Sequence, residues 1–195
     1  MEYDLQDRTA VVTGAGRGNG ERIAKRLAAD GARVVVNDLD RDPAVGTVED
    51  IEADGGEATA IAADVSDTEA VDEMFETAAD RFGTVDTLVN NAGVGKVQKF
   101  TEKPDDTLLD LNLDTHLKGA YHCTRAALDG MTEQGYGNVV NITSIHTKNG
   151  IGMSPQYDVG KFSLLGLTKT LALERGREGV RGTAAAPGWG ATRTT

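Results

Sequence analysis

A chain of 195 residues, 39% of them hydrophobic, is long enough for one domain with its own core, and 24 glycines against 4 prolines suit many tight strand-to-helix turns rather than a disordered linker. With 31 acidic and 20 basic residues the net charge is −11, which argues against nucleic acid or anionic lipid as a partner, since both reward basic patches. No apolar run approaches the roughly 18 residues of a membrane span.

The single cysteine, Cys123, forms no internal disulfide, and the acidic, polar start has no signal-peptide pattern, so a reducing cytoplasm is the expected compartment. The basic residues are 12 arginines and 8 lysines. An acidic, lysine-poor surface fits either a salt-adapted protein or an ordinary acidic cytosolic one.

In chain order, short β-branched runs alternate with longer helical patterns. Residues 9–13 read as a buried strand that runs into a glycine-rich turn. Residues 21–30 read as a helix with Ile23, Ala24, Leu27 and Ala28 on one face, stopped by Gly31. Strands follow at 33–38, 57–63, 86–90, 138–143 and 180–186. Helices fall at 43–54, 68–82 and 156–177, and one long helical pattern covers 105–131. This alternation means βαβ units and a parallel sheet covered on both faces. The expected fold is α/β: a doubly wound, Rossmann-type sheet of six strands in three layers, forming one domain over residues 1–195.

The first turn reads Thr13-Gly14-Ala15-Gly16-Arg17-Gly18-Asn19-Gly20. Glycines at 14, 18 and 20 let the backbone approach a diphosphate, and the following helix aims its N–H groups and positive dipole end at that anion. Glycines also make plain turns, so the loop's place between a strand and a helix matters more than the loop alone. Asp38 closes the second strand, where a carboxylate accepts from adenosine ribose hydroxyls and repels a 2′-phosphate. NAD is therefore expected over NADP. Arg17 pulls the other way, since a guanidinium in this loop can pair with a 2′-phosphate. Asp64 and Val65 follow the third strand, at the expected adenine edge. Asn90-Asn91-Ala92-Gly93 follows the fourth and suits close packing beside the nicotinamide ribose, although Asn91 and Gly93 are equally well read as a structural turn.

Tyr157 and Lys161 lie four apart in a helix and share one face. An ammonium beside a phenol favours the phenolate, making Tyr157 a candidate general acid/base for an alcohol–carbonyl proton. Ser144 follows the fifth strand, at the sheet edge where open α/β folds bind ligands, and its hydroxyl suits a substrate oxygen. Tyr-x-x-x-Lys also occurs by chance as an exposed helix pair. No metal-ligand set is expected.

Over nearly its whole length the sequence resembles the short-chain dehydrogenase/reductase family. Thr13-Gly14-x-x-x-Gly18-x-Gly20, Asn90-Asn91-Ala92-Gly93, Ser144 and Tyr157-x-x-x-Lys161 occur in the family's order, with the family's interval of 13 residues from Ser144 to Tyr157. Pro187-Gly188, Gly190 and Thr192 are similar to its loop at the nicotinamide carboxamide. The resemblance implies an NAD-dependent oxidoreductase moving hydride between the cofactor and a small alcohol or ketone. Tyr157 would be the acid/base, Lys161 would tune it and hold the nicotinamide ribose, and Ser144 would bind the substrate oxygen. It also implies a homodimer or homotetramer through residues 105–131 and 156–177.

The chain departs from the family in places. His116 stands where many members have a relay asparagine, so it is either a proton relay or a helix histidine with no catalytic duty, with Asn112 as rival. Asn19 and Gly182-Thr183 replace residues that are usually apolar or, at Thr183, asparagine. The chain is also shorter than most members, lacking a substrate-covering segment and a last strand, which leaves the sixth strand as an open edge. Two other functions fit the residues: a non-catalytic cofactor- or partner-binding subunit, and an enzyme like the nucleotide-sugar epimerases or dehydratases, which tend to be longer.

Overall fold

Val11, Val12, Val34, Val35 and Val36 are fully buried, as strands covered on both faces require. The computed structural model describes residues 4–96, 98–103, 105–150 and 152–188. The elements run β1 Thr9–Val12, α1 Gly18–Ala29, β2 Arg33–Asp38, α2 Arg41–Ala53, β3 Glu57–Ala62, α3 Thr68–Phe82, β4 Thr87–Asn90, α4 Asp106–Asn112, α5 Gly119–Glu133, β5 Gly137–Ile142, α6 Pro155–Arg175 and β6 Val180–Ala185. The strands form one sheet in the order β3-β2-β1-β4-β5-β6. Every neighbouring pair is parallel. This is the doubly wound Rossmann arrangement, in which strand order reverses between β1 and β4 and a crevice opens at the carboxyl ends.

Side chains alternate across the sheet with the two-residue period of a strand. Val11, Val35, Leu88 and Val139 face one way and pack with Val71, Met74 and Phe75 of α3 and Cys123, Ala127 and Met131 of α5. Ala10, Val12, Val34 and Val36 face the other way, onto Ala24 and Ala28 of α1 and Ile51 of α2. Helix ends follow local chemistry. Asp67 caps α3 by accepting from the N–H groups of Glu69 and Ala70, and Gly83 ends it at φ 82°.

Most element ends differ from the sequence expectation by a turn or less. α1 begins at Gly18 rather than 21 because the glycine loop supplies the first helical turn itself, after an extended Arg17 at φ −158°. Asp86 lies outside β4: its carboxylate takes the Thr9 N–H at 2.9 Å and an Arg8 guanidinium N–H at 2.7 Å.

The pattern over 105–131 is not one α-helix. α4, capped by the Asp105 side chain at the Thr107 N–H, gives way to a π-helical turn over Leu113–Lys118 before α5 resumes. A π turn inserts one extra residue and rotates the side chains that follow, and such turns recur at functional sites. Here it carries His116, which is 1% exposed.

Candidate active site

The cleft begins where β1 turns into α1. Gly14 and Gly18 sit at φ +59° and +64°, the left-handed region that glycine tolerates best. A Cβ on Gly20 would strike the Gly14 carbonyl, and one on Gly16 would lie 2.6 Å from Pro43 and 2.8 Å from the Asp38 carboxylate. No side chain caps the start of α1, so its first N–H groups stay available to an anion. These observations fit a diphosphate cradle.

Asn91 stitches the loop together. Its side-chain amide donates to the carbonyls of Thr13 and Gly14 at 2.8 and 2.9 Å, and the backbone N–H groups of Asn91 and Ala92 both donate to the Thr13 hydroxyl at 3.0 Å. Asn91 thus braces the turn while also lining the cleft. The Asn90 side chain turns away from the cleft. It is buried and donates to Asn141 at 2.9 Å and Thr124 at 3.2 Å, while Asn141 donates to Thr168 of α6 at 2.9 Å. Asn90 thus ties β4 and β5 to α5, because alternation in β4 turns it toward the helix layer.

A cleft of about 620 Å³ runs over this loop, lined by Gly14, Arg17, Asn19, Asp38, Asp64, Val65, Asn91, Ala92, Gly93 and Val94 among others. Asp38, 7% exposed, accepts the Gly16 N–H at 2.9 Å. Arg17 is drawn into an exposed ion pair with Asp40 at 3.1 Å. Asp64 holds Ser66 in a turn through both its N–H and its hydroxyl at 2.8 Å. Asn19 is exposed at the rim.

A second chamber of about 240 Å³ continues from the first, sharing Asn19, Asn91, Gly93 and Val94 and adding His116, Tyr157, Lys161 and Pro187. Tyr157 and Lys161 enter it from the first turns of α6. The Lys161 ammonium lies 5.9 Å from the Tyr157 ring centre and donates to the Ile142 carbonyl at 2.8 Å. Burial pushes Lys161 down to about 8. The Tyr157 ring stands edge-on between two imidazoles, His116 at 5.4 Å and His146 at 5.3 Å. His146 is held by Asp158 at 2.6 Å.

Ser144 is buried at the end of β5, where its hydroxyl accepts the His146 N–H at 3.2 Å and starts a short turn over Ile145–Thr147. The Ile145 N–H donates to the Pro187 carbonyl at 3.0 Å, which joins this turn to the segment after β6. Gly188 follows there with open space around it. Gly190 and Thr192 lie outside the described residues.

Sequence reasoning missed the pairing of His146 with Asp158. Their twelve-residue separation has no periodic signal, and only the return of α6 beneath the β5 turn joins them. Among the described residues no cluster of three or more His, Cys, Asp or Glu forms a metal site, and no helix is long and apolar enough to cross a membrane.

This architecture coincides with that of known proteins. The family of short chain dehydrogenases matches residues 8–195, and the chain belongs to that family. It is 38% identical to the (2S)-[(R)-hydroxy(phenyl)methyl]succinyl-CoA dehydrogenase subunit BbsD of Thauera aromatica, over 94% of this chain and 73% of that one. It is likewise 38% identical to the L-rhamnose 1-dehydrogenase (NAD(P)(+)) of Azotobacter vinelandii, over 96% of this chain and 75% of that one. A solved structure assigned to the short-chain alcohol dehydrogenases, from Sinorhizobium meliloti 1021, superposes with a TM-score of 0.94 at 39% identity, covering all of this chain and 77% of its own. The chain is thus an oxidoreductase of the short-chain type, acting on CH–OH groups with a nicotinamide cofactor.

Proposed function

We propose that this chain is an NAD-dependent alcohol dehydrogenase or ketone reductase in which Tyr157 is the acid/base. The observation that carries the reading is the continuity of the glycine-loop cleft with the chamber holding Tyr157 and Lys161, through shared walls at Asn19, Asn91, Gly93 and Val94. A dinucleotide laid along it has its phosphates at α1 and its far end beside the phenol.

When bound, a nicotinamide cofactor supplies the hydride chemistry. The residues handle everything else. Tyr157 gives its hydroxyl proton to a developing alkoxide in reduction and takes it back in oxidation. The Lys161 ammonium attracts the negative charge that develops on the Tyr157 oxygen, and its hydrogen bond to Ile142 fixes its position. Ser144, whose hydroxyl oxygen is engaged by the His146 N–H, keeps its own proton to donate to the substrate oxygen.

NAD is favoured over NADP by Asp38. Its carboxylate is fixed by Gly16 in the cleft, and among the described residues it has no ion-pair partner, while Arg17 is taken up by Asp40. Pro187 and Gly188 lie at the nicotinamide end in this reading, Gly190 and Thr192 are assigned to it by the family resemblance alone, and Thr13, Ala15 and Gly18 shape the phosphate end. We read the chain as one nucleotide-binding domain that works in the cytoplasm as a homo-oligomer. The single buried cysteine supports the compartment. The half-exposed Tyr121, Val159 and Phe162 on α5 and α6 support self-association.

Two measurements test the reading. Titration with NADH and NADPH by calorimetry is expected to give tighter NADH binding; equal affinities would overturn the NAD assignment. Turnover of NAD with L-rhamnose and simple secondary alcohols is expected to fall ~10²–10⁴-fold in Tyr157→Phe with NADH binding retained. A Tyr157→Phe variant of unchanged rate would remove Tyr157 from the chemistry.

A further inference from the structure

We infer that His116 is a positioning residue for Tyr157: its ring closes the turn after β4 through the Val94 N–H and braces the phenol edge-on, without carrying a proton in the reaction. This rests on the reading of Tyr157 as acid/base.

The imidazole is 1% exposed, on the wall of the second chamber. Its Nε2 accepts the Val94 N–H at 3.1 Å, so that lone pair is occupied and the ring hydrogen sits on Nδ1. Two glycines leave the slot it fills. A Cβ on Gly93 would lie 2.7 Å from Nε2 and 3.0 Å from Cδ2, and a Cβ on Gly160 would lie 2.6 Å from Nδ1. The π turn over Leu113–Lys118 swings the ring into that slot, where it meets the Tyr157 ring at 86°. One side chain therefore connects the Gly93–Val94 wall, the π turn and the acid/base.

A relay would need a second proton or a switch of tautomer. Either puts hydrogen on Nε2, in conflict with the Val94 N–H. Among the described residues, the titratable groups facing the ring are Tyr157 and Lys161, both from α6. Burial first, and then the Lys161 ammonium, push His116 down to about 3. A singly protonated ring, held at Nε2 by the Val94 N–H and packed against Gly93 and Gly160, suits support rather than transfer. Gln is the informative replacement, because its side-chain carbonyl reaches about as far as Nε2 and never titrates.

The test compares His116→Gln and His116→Ala with the wild type, using whichever alcohol the wild type oxidises. His116→Ala is expected to lower kcat ~100-fold, the order seen for a small misplacement of a reacting group. His116→Gln is expected to recover most of that loss and to keep the wild-type kcat–pH profile. His116→Gln as inactive as His116→Ala, or a profile that has lost an ionisation limb, would overturn the inference, as would an unimpaired His116→Ala. NMR of the histidine ring nitrogens in the wild type needs neither turnover nor a variant that folds. It should show His116 as the Nδ1–H form throughout about pH 5 to 8, and an imidazolium there would overturn the inference. Tyr157→Phe, run in parallel, separates the two readings: if it stays active the parent reading fails, and if it is inactive while His116→Ala is not, only this one does.

Discussion

The Lys161 ammonium donates to the Ile142 carbonyl from a position 5% exposed, and among the described residues no carboxylate pairs with it. A buried, unpaired ammonium is unfavourable, and here it lies beside Tyr157, the proposed acid/base.

The consequence is a pH signature in stability. Lys161 titrates near 8 in the folded chain against an ordinary value of 10.5. Below pH 8 it is charged in both states and the burial penalty, about 3 kcal/mol, is fully present. Between 8 and 10.5 the unfolded chain binds the extra proton, so stability rises with pH. Urea unfolding of wild type and Lys161→Met across that range should show the rise in the wild type alone, with the variant more stable by about 1–2 kcal/mol near neutrality, once the lost bond to Ile142 is counted. Parallel pH curves would mean the ammonium is better solvated than its burial implies.

Asp38 and Gly16 make the second prediction. Asp38→Ser removes the charge that opposes a 2′-phosphate and the acceptor of the Gly16 N–H. The ratio of NADH to NADPH affinity, read by calorimetry, should move toward NADPH by at least about tenfold, or 1.4 kcal/mol. Arg17→Ala, which breaks only an exposed pair with Asp40, should leave NADH binding nearly unchanged.

Glycines at two places should behave in opposite ways. Gly20→Ala forces a methyl group into the Gly14 carbonyl and to within 2.5 Å of the Asn91 amide, so it should cost more than about 3 kcal/mol and abolish nucleotide binding. Gly46, in the middle of α2, has nothing within 4 Å of an added Cβ. Gly46→Ala should stabilise by about 0.5–1 kcal/mol through backbone entropy. Thermal melts of the two variants decide it.

Cys123 is fully buried in α5, and burial pushes its thiol up to about 12. The thiolate is the reactive form, so a disulfide reagent should modify the native chain only at the rate of unfolding, and rapidly in urea. Fast native labelling would show that the α3–α5 layer opens locally.

The strands, the glycine loop and the Tyr157–Lys161 pair were legible in the sequence because each depends on local spacing. β-branched runs mark buried strands, and a four-residue step marks a shared helix face. What was not legible depends on phase and return. The π turn adds one residue, and on either side of it the sequence still looks helical, so residues 105–131 read as one element. Asn90 and Asn91 look alike in sequence, yet strand alternation turns Asn90 into the helix layer and leaves Asn91 to clasp Thr13 and Gly14. The ion pair of Arg17 with Asp40 spans two elements and has no visible link in the sequence. The contacts of Val94, Gly93 and Gly160 with the His116 ring have no local signal in the sequence.

The parallel pairing of β1 with β4 sets Ala10 beside Thr87 and brings Thr13 to Asn91. No turn of local chain makes that contact; three strands and three helices lie between its partners. Pairings so distant in sequence are slow to form, because the loop must close before its contacts reward it. The nucleotide cleft therefore comes into being only when the two halves of the sheet have met. Nucleotide added to refolding chains should then slow unfolding without hastening folding, and the cofactor acts on this protein as a latch on a finished structure rather than a template for making it.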